Sequence, residues 1–154
     1  MGKTCSFFGH RLFVECGLDK KHLEEMIEVQ IKSGYTDFMV GMHGEFDTMV
    51  LRSLLLLKDK YPHINIYKVY TSIKRLYKDS KDYCLNDKYT MISFPIEELH
   101  YKQQIIFTNK CMVDKSDLVV CYLRDNELGG TKLIIDYAKK QNKRIINLYK
   151  KNNS

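Results

Sequence analysis

The chain has 154 residues, 44% of them hydrophobic and 29% charged, and a formal net charge of +6 at pH 7. That length and mix predict one domain, which at this size hides about 70% of the surface its unfolded chain exposes, enough for a core without staples. No apolar run nears the ~20 residues a spanning helix needs, so no membrane segment is expected.

The longest apolar run, Leu54-Leu55-Leu56-Leu57, is bracketed by Arg52 and Lys58. No long apolar stretch follows the first residues, so no leader is expected and a cytoplasmic location is. Cys5, Cys16, Cys84, Cys111 and Cys121 are odd in number and lack C-x-x-C spacing. A disulfide framework or zinc site is not expected from them. The lysines are scattered, and no aromatic-basic repeat stands out, so nucleic acid is not the expected partner.

The first strand is read in Thr4 to Phe8. It runs straight into Gly9-His10-Arg11. Asp19 to Ser33 has helical spacing at Leu23, Met26, Ile27, Gln30 and Ile31, with Asp19 as N-cap and Gly34 as stop. Thr36 to Val40 reads as a strand. Gly44 to Tyr61 reads as a helix that buries Phe46, Met49, Val50, Leu54 and Leu57, and Pro62 ends it. Ile64 to Tyr70 is the third strand. Ile73 to Cys84 is read as a short helix and Tyr89 to Phe94 as an edge strand closed by Pro95. Ile96 to Val113 is the next helix, followed by a strand at Asp117 to Tyr122, a helix at Thr131 to Asn142 and a strand at Arg144 to Tyr149.

Strands that alternate with helices predict a mostly parallel sheet of five or six strands with helices on both faces, a Rossmann-like α/β sandwich joined by right-handed crossovers. One domain over residues 1–149 is expected, with a frayed polar tail at 150–154.

Three junctions place a glycine turn where a strand ends, and that is where open α/β sheets present a ligand crevice. At the first, Gly9 would let a ligand approach the backbone, beside His10, and Arg11 would grip a phosphate or carboxylate. At the second, Gly41-Met42-His43-Gly44-Glu45-Phe46-Asp47 leads into a helix whose first N–H groups can face an anion. Asp47 would either bond ribose hydroxyls or serve as a carboxylate favoured by the helix dipole, and both readings stand. His43 has no evident carboxylate partner and is read as a loop residue. At the third, Gly129-Gly130 exposes consecutive N–H groups, and Thr131 can cap the helix or bond a phosphate oxygen.

Absences narrow the chemistry. No P-loop motif, no G-x-G-x-x-G after the first strand and no G-x-S-x-G elbow are present. His10, His43, His63 and His100 lack metal spacing. No cofactor and no metal are expected.

In order, Phe8-Gly9-His10-Arg11, the Gly41 to Asp47 loop, and Asn109 to Asp117 leading to Gly129-Gly130-Thr131 resemble the SLOG superfamily in its YpsA-like branch. The resemblance spans nearly the whole domain. It implies a Rossmann-like fold with a nucleotide-type ligand over the strand ends, and kinship with LOG-type phosphoribohydrolases, which split a base from a nucleoside monophosphate. Those enzymes carry P-G-G-x-G-T-x-x-E with a catalytic glutamate. Here Leu128 replaces the proline, Gly130 and Thr131 are adjacent, and Ile134 stands at the glutamate position. An isoleucine can neither stabilise an oxocarbenium-like centre nor activate water. Asp136 lies two residues on, about 200° around the axis, and is expected to face elsewhere. Thr108 replaces the arginine that usually precedes Asn109.

The expected function is therefore binding of a nucleotide or a nucleotide-derived signal such as an ADP-ribose-like molecule, as a sensor or sequestering module. Gly9, Gly41, Gly44, Gly129, Gly130 and Thr131 would form the phosphate cradle. A rival is an N-glycoside hydrolase in which Glu45 or Asp47 supplies the carboxylate. A third reading is a protein-interaction regulator with a vestigial site. Self-association is admitted too, because the helix at Gly44 to Tyr61 is apolar enough to serve as core or interface.

Overall fold

The computed structural model describes residues 2–9, 20–42, 44–82, 88–94, 100–124 and 128–149. In chain order its elements are β1 (Lys3–Gly9), α1 (Lys20–Lys32), β2 (Tyr35–Val40), α2 (Glu45–Lys60), β3 (Asn65–Tyr70), α3 (Ile73–Asp82), β4 (Thr90–Ser93), α4 (Tyr101–Asp114), β5 (Leu118–Tyr122), α5 (Gly130–Lys140) and β6 (Arg144–Asn147). The strands form one six-stranded sheet in the order β4-β3-β2-β1-β5-β6. Every pairing between neighbours is parallel. The fold is the expected Rossmann-like α/β sandwich, with a sheet that is wholly parallel.

Side chains alternate across each strand, so a central strand must be apolar on both faces. β1 meets that demand. Cys5 and Phe7 enter one core with Phe38, Val40, Leu118 and Val120, which α1 and α2 cover through Leu23, Ile27, Val50 and Leu54. Phe8 enters the opposite core with Met39, Val119 and Cys121, which α4 and α5 cover through Met112, Val113, Ile135 and Ala138. Burial pushes the Cys121 thiol up to about 12 and raises that of Cys5 as well, so both act as small apolar groups.

Register is fixed at the lower edge of the sheet. The Thr4 N–H donates to Asp117 Oδ2 at 2.9 Å, and the Asp117 N–H donates to the Thr4 carbonyl at 2.8 Å. Nearby, the buried Ser116 hydroxyl donates to the Met112 carbonyl at 2.6 Å and accepts from the Ser6 hydroxyl. These bonds tie β1 to the carboxyl end of α4 and set β1 against β5.

Several boundaries shift. α1 stops one residue short of Ser33, and its expected cap Asp19 lies outside the described residues. Gly44 and Tyr61 are the caps of α2 and not its first and last turns. α3 is described to Asp82, and residues 83–87 lie outside the description. The helix expected from Ile96 starts at Tyr101 behind the N-cap His100 and runs one residue past Val113, while residues 95–99 are not described. β4 is the expected edge strand, from Thr90 to Ser93. Residues 150–154, the expected tail, lie outside the description. Among the described residues no helix is long and apolar enough to cross a membrane.

Candidate functional site

Parallel strands all end at one edge, and the helices that follow them begin there. β1 ends on Gly9, which pairs with Tyr122 at the end of β5, and β2 ends on Val40, beside Phe7. The chain therefore brings Gly9, Gly41 and the start of α5 to one rim. A cavity of about 70 Å³ opens there, lined by Phe7, Phe8, Gly9, Gly41, Asp47, Ile105, Asn109, Met112, Gly130, Thr131 and Ile134. Each of the three glycine junctions contributes to it.

Gly9 is required by packing. A methyl group at its α-carbon would stand 2.3 Å from the Phe46 ring, and Phe46 is fully buried. The first turn of α2 thus rests on the end of β1. That contact carries Asp47 to the cavity wall, where its Oδ2 lies 3.1 Å from where a Cβ on Gly41 would be. Glu45, in the same turn, is exposed.

The start of α5 is built differently. Gly129 holds φ 123° and ψ −164° as N-cap, with no side-chain cap hydrogen bond and no acidic residue in the first turn. A methyl group on Gly129 or Gly130 would meet nothing within 4 Å. The first N–H groups of a helix have no partner within it, so this end brings donors and a partial positive charge to the cavity that Gly130 and Thr131 line. Asn147 steadies the approach to this loop. Its Nδ2 donates to the Leu123 carbonyl at 2.9 Å, and its Oδ1 accepts from the Leu123 N–H at 3.1 Å. Just beyond, the Arg124 guanidinium lies 6.0 Å over the Tyr122 ring.

The floor is apolar. Ile134 is buried at 4% exposure and lines the cavity beside Phe8 and Met112. Asp136 is not among the lining residues and accepts from Lys132 Nζ at 2.6 Å. That bond, before the adjacent lysines, holds its carboxyl below the usual range. The carboxylate on α5 is therefore turned away from the cleft, as its helical position predicts.

Of the residues expected to bind, Gly9, Gly41, Asp47, Gly130 and Thr131 line one cavity. Gly44, Glu45 and Gly129 are not among its lining residues. His10, Arg11 and His43 lie outside the described residues. Ile105, Asn109 and Met112 were absent from the expected set. They recur at intervals of four and three on α4, which is the signal of one helical stripe. Among the described residues no group of three or more His, Cys, Asp or Glu is placed to hold a metal ion.

A further polar group lies where β3 ends. The buried Tyr70 donates its hydroxyl to Asp79 Oδ2 at 2.8 Å, and Arg75 Nε donates to Asp79 Oδ1 at 3.1 Å. The Tyr70 bond, then Arg75, holds the Asp79 carboxyl below its usual range. Burial, then Asp79, raises the Tyr70 phenol. Each group satisfies another, which suits a structural clamp between β3 and α3.

A scan against protein-family models and a search of curated proteins both return no match to this chain.

Proposed function

We propose that the chain binds a nucleotide or nucleotide-derived small molecule at the carboxyl ends of its parallel strands, as a sensor or sequestering module. The observation that carries this reading is the convergence of Gly9, Gly41, Asp47, Gly130 and Thr131 on one cavity whose floor is Ile134. The amino end of α5 suits the phosphate, because it has no acidic residue in its first turn and its N-cap Gly129 makes no side-chain cap hydrogen bond. Asp47 suits a sugar hydroxyl. The motif order resembles the SLOG superfamily, YpsA-like branch, which favours the same ligand class. Arg11 would add the charge clamp.

An apolar floor is what argues for retention over turnover. The position where the LOG-type enzymes carry their glutamate faces the cleft here and bears Ile134. Asp47 supports a second reading. Its carboxylate lines the same cavity, so an N-glycoside hydrolase that uses Asp47 as its acid-base group is the rival. Glu45, exposed, fits that role less well.

The test mixes stoichiometric protein with nucleoside monophosphates, ADP-ribose and cyclic derivatives and analyses bound and free fractions by mass spectrometry. An intact retained compound is the expected result. Free base with a ribose phosphate, abolished by Asp47→Asn, would establish the hydrolase. If every compound stays free and intact, ligand binding is refuted, and a protein partner becomes the reading to pursue.

A further inference from the structure

β6 ends the sheet on one side and pairs with β5 alone. Beyond it the Leu148 N–H donates to the Cys121 carbonyl at 2.8 Å. Main-chain polar groups alternate between the two edges of a strand, so Arg144 and Ile146 also turn theirs to β5. Ile145 and Asn147 turn theirs to the open side, where no strand of the sheet answers them. β6 carries no proline, and its pairing with β5 shows no register shift. Nothing in the strand itself bars another from adding to it.

A groove of about 330 Å³ lies against this edge, on the face that α1 and α2 cover. Ile146 and Leu148 form its floor, and one flank of α1 forms its wall through His22, Glu25, Met26 and Val29. Val29 is apolar and yet 59% exposed. Arg144 stands two residues before Ile146, so its side chain leaves β6 on the same face, and it is exposed. Lys139, Lys140, Lys143 and Arg144 fall within six residues that contain no acid. The groove shares no lining residue with the cavity at the strand ends.

We propose that β6 and this groove receive an extended acidic and apolar segment of another protein, which adds to the sheet as a further strand. The open edge selects the backbone, because an extended chain matches main-chain groups offered at every second residue. The groove selects the side chains. Paired strands lie about 4.8 Å apart, so alternate side chains of the added strand stand next to Arg144, Ile146 and Leu148. A carboxylate suits the first. Apolar side chains suit the other two and would cover Met26 and Val29 across the groove. The basic run that leads into β6 draws an acidic segment and repels a basic one. β6 has only four residues, so few main-chain bonds form, and a dissociation constant on the order of 10–100 μM is expected.

The test uses two fluorescein-labelled peptides, Gly-Ser-Asp-Thr-Val-Thr-Leu-Ser-Gly and the same residues in reverse order, titrated with the full chain at physiological ionic strength. Fluorescence anisotropy is expected to show binding of at least one of them, and a lysine in place of the aspartate should abolish it. Amide hydrogen exchange followed by NMR should slow at Ile145 and Asn147 when that peptide is present. Arg144→Glu is expected to weaken binding about 10-fold or more by setting like charges together. Ile145→Pro removes a donor that the sheet itself does not use and should weaken binding roughly 10-fold. Lys74→Glu, an equal change of charge at an exposed site on α3 beside the opposite edge strand β4, is expected to leave it unchanged. Circular dichroism confirms the fold of each variant, and Arg144→Glu alone carries the test if Ile145→Pro does not fold. The proposal is overturned if neither peptide binds at concentrations up to about 1 mM, or if Lys74→Glu weakens binding as much as Arg144→Glu. It is also overturned if Ile145 and Asn147 are already protected without peptide and lose that protection on dilution, since a second copy would then hold the edge.

Discussion

Two helices begin at the same rim, each behind a glycine whose φ disfavours a side chain, 131° at Gly44 and 123° at Gly129. Beyond that likeness they diverge. α2 brings Glu45 and Asp47 in its first turn and wedges Phe46 against Gly9, so its amino end is anchored and its dipole is answered by the chain's own carboxylates. α5 brings no acid to its first turn and leaves open space around Gly129 and Gly130. An amino end that is packed and self-neutralised serves the fold. At the other, no acid of the helix's own first turn answers the dipole, and a bound anion would do so.

The largest effect should come from the anchored end. Gly9→Ala forces a methyl group into the Phe46 ring, and overpacking of this kind costs about 1–3 kcal/mol. Thermal melts should show a clear fall in Tm, and an unchanged Tm would mean that α2 is free to move off β1. At the open end, Gly129→Ala tests backbone strain alone. Its φ and ψ belong to a region that is essentially reserved for glycine, so the substitution should cost about 1–3 kcal/mol with no clash to blame. Gly130→Ala meets neither strain nor neighbours. It should change stability by about 0.5 kcal/mol or less while reducing affinity for a nucleotide by crowding the first N–H groups. Equal losses of stability at Gly9 and Gly130 would erase the contrast.

A smaller effect is expected at the end of β3, where the chain answers its own charge as it does in α2. Tyr70→Phe removes a hydrogen bond to a carboxylate and should cost about 1.5 kcal/mol near neutral pH. A carboxyl held below its usual range favours the native state above its unfolded pKa, about 4, and that contribution fades as the pH falls through the lowered native value. The gap in stability between wild type and Tyr70→Phe should therefore narrow as the solution is acidified below pH 4 or so. A gap that widened there would show that Asp79 is not the group involved.

Local punctuation made much of this legible in advance. Two strand-to-glycine junctions are written within a few residues, so Gly9 and Gly41 could be placed at strand ends and Gly130 at the start of the helix after β5, and parallel topology then carries all three to one rim. The direction of Asp136 followed from helical geometry alone. What could not be read is long-range. Ile105, Asn109 and Met112 lie on one stripe of α4, but spacing alone does not say what a stripe faces. That depends on the return from β4 at one edge to β5 beside β1. The contact between Gly9 and Phe46 is hidden for the same reason, since small size at Gly9 looks like turn chemistry until Phe46 is seen against it.

The sheet order has a consequence for the order of events at the ribosome. β1 lies between β2 and β5, and the bond from the Thr4 N–H to Asp117 spans 113 residues. At a synthesis rate of about 5–20 residues per second, that interval is on the order of ten seconds. Until β5 emerges, the strand that is made first keeps one hydrogen-bonding edge open and its apolar faces only half covered. The nascent chain must therefore carry β1 unfinished over that interval, and Leu118 to Tyr122, arriving late and apolar throughout, is the segment that closes it.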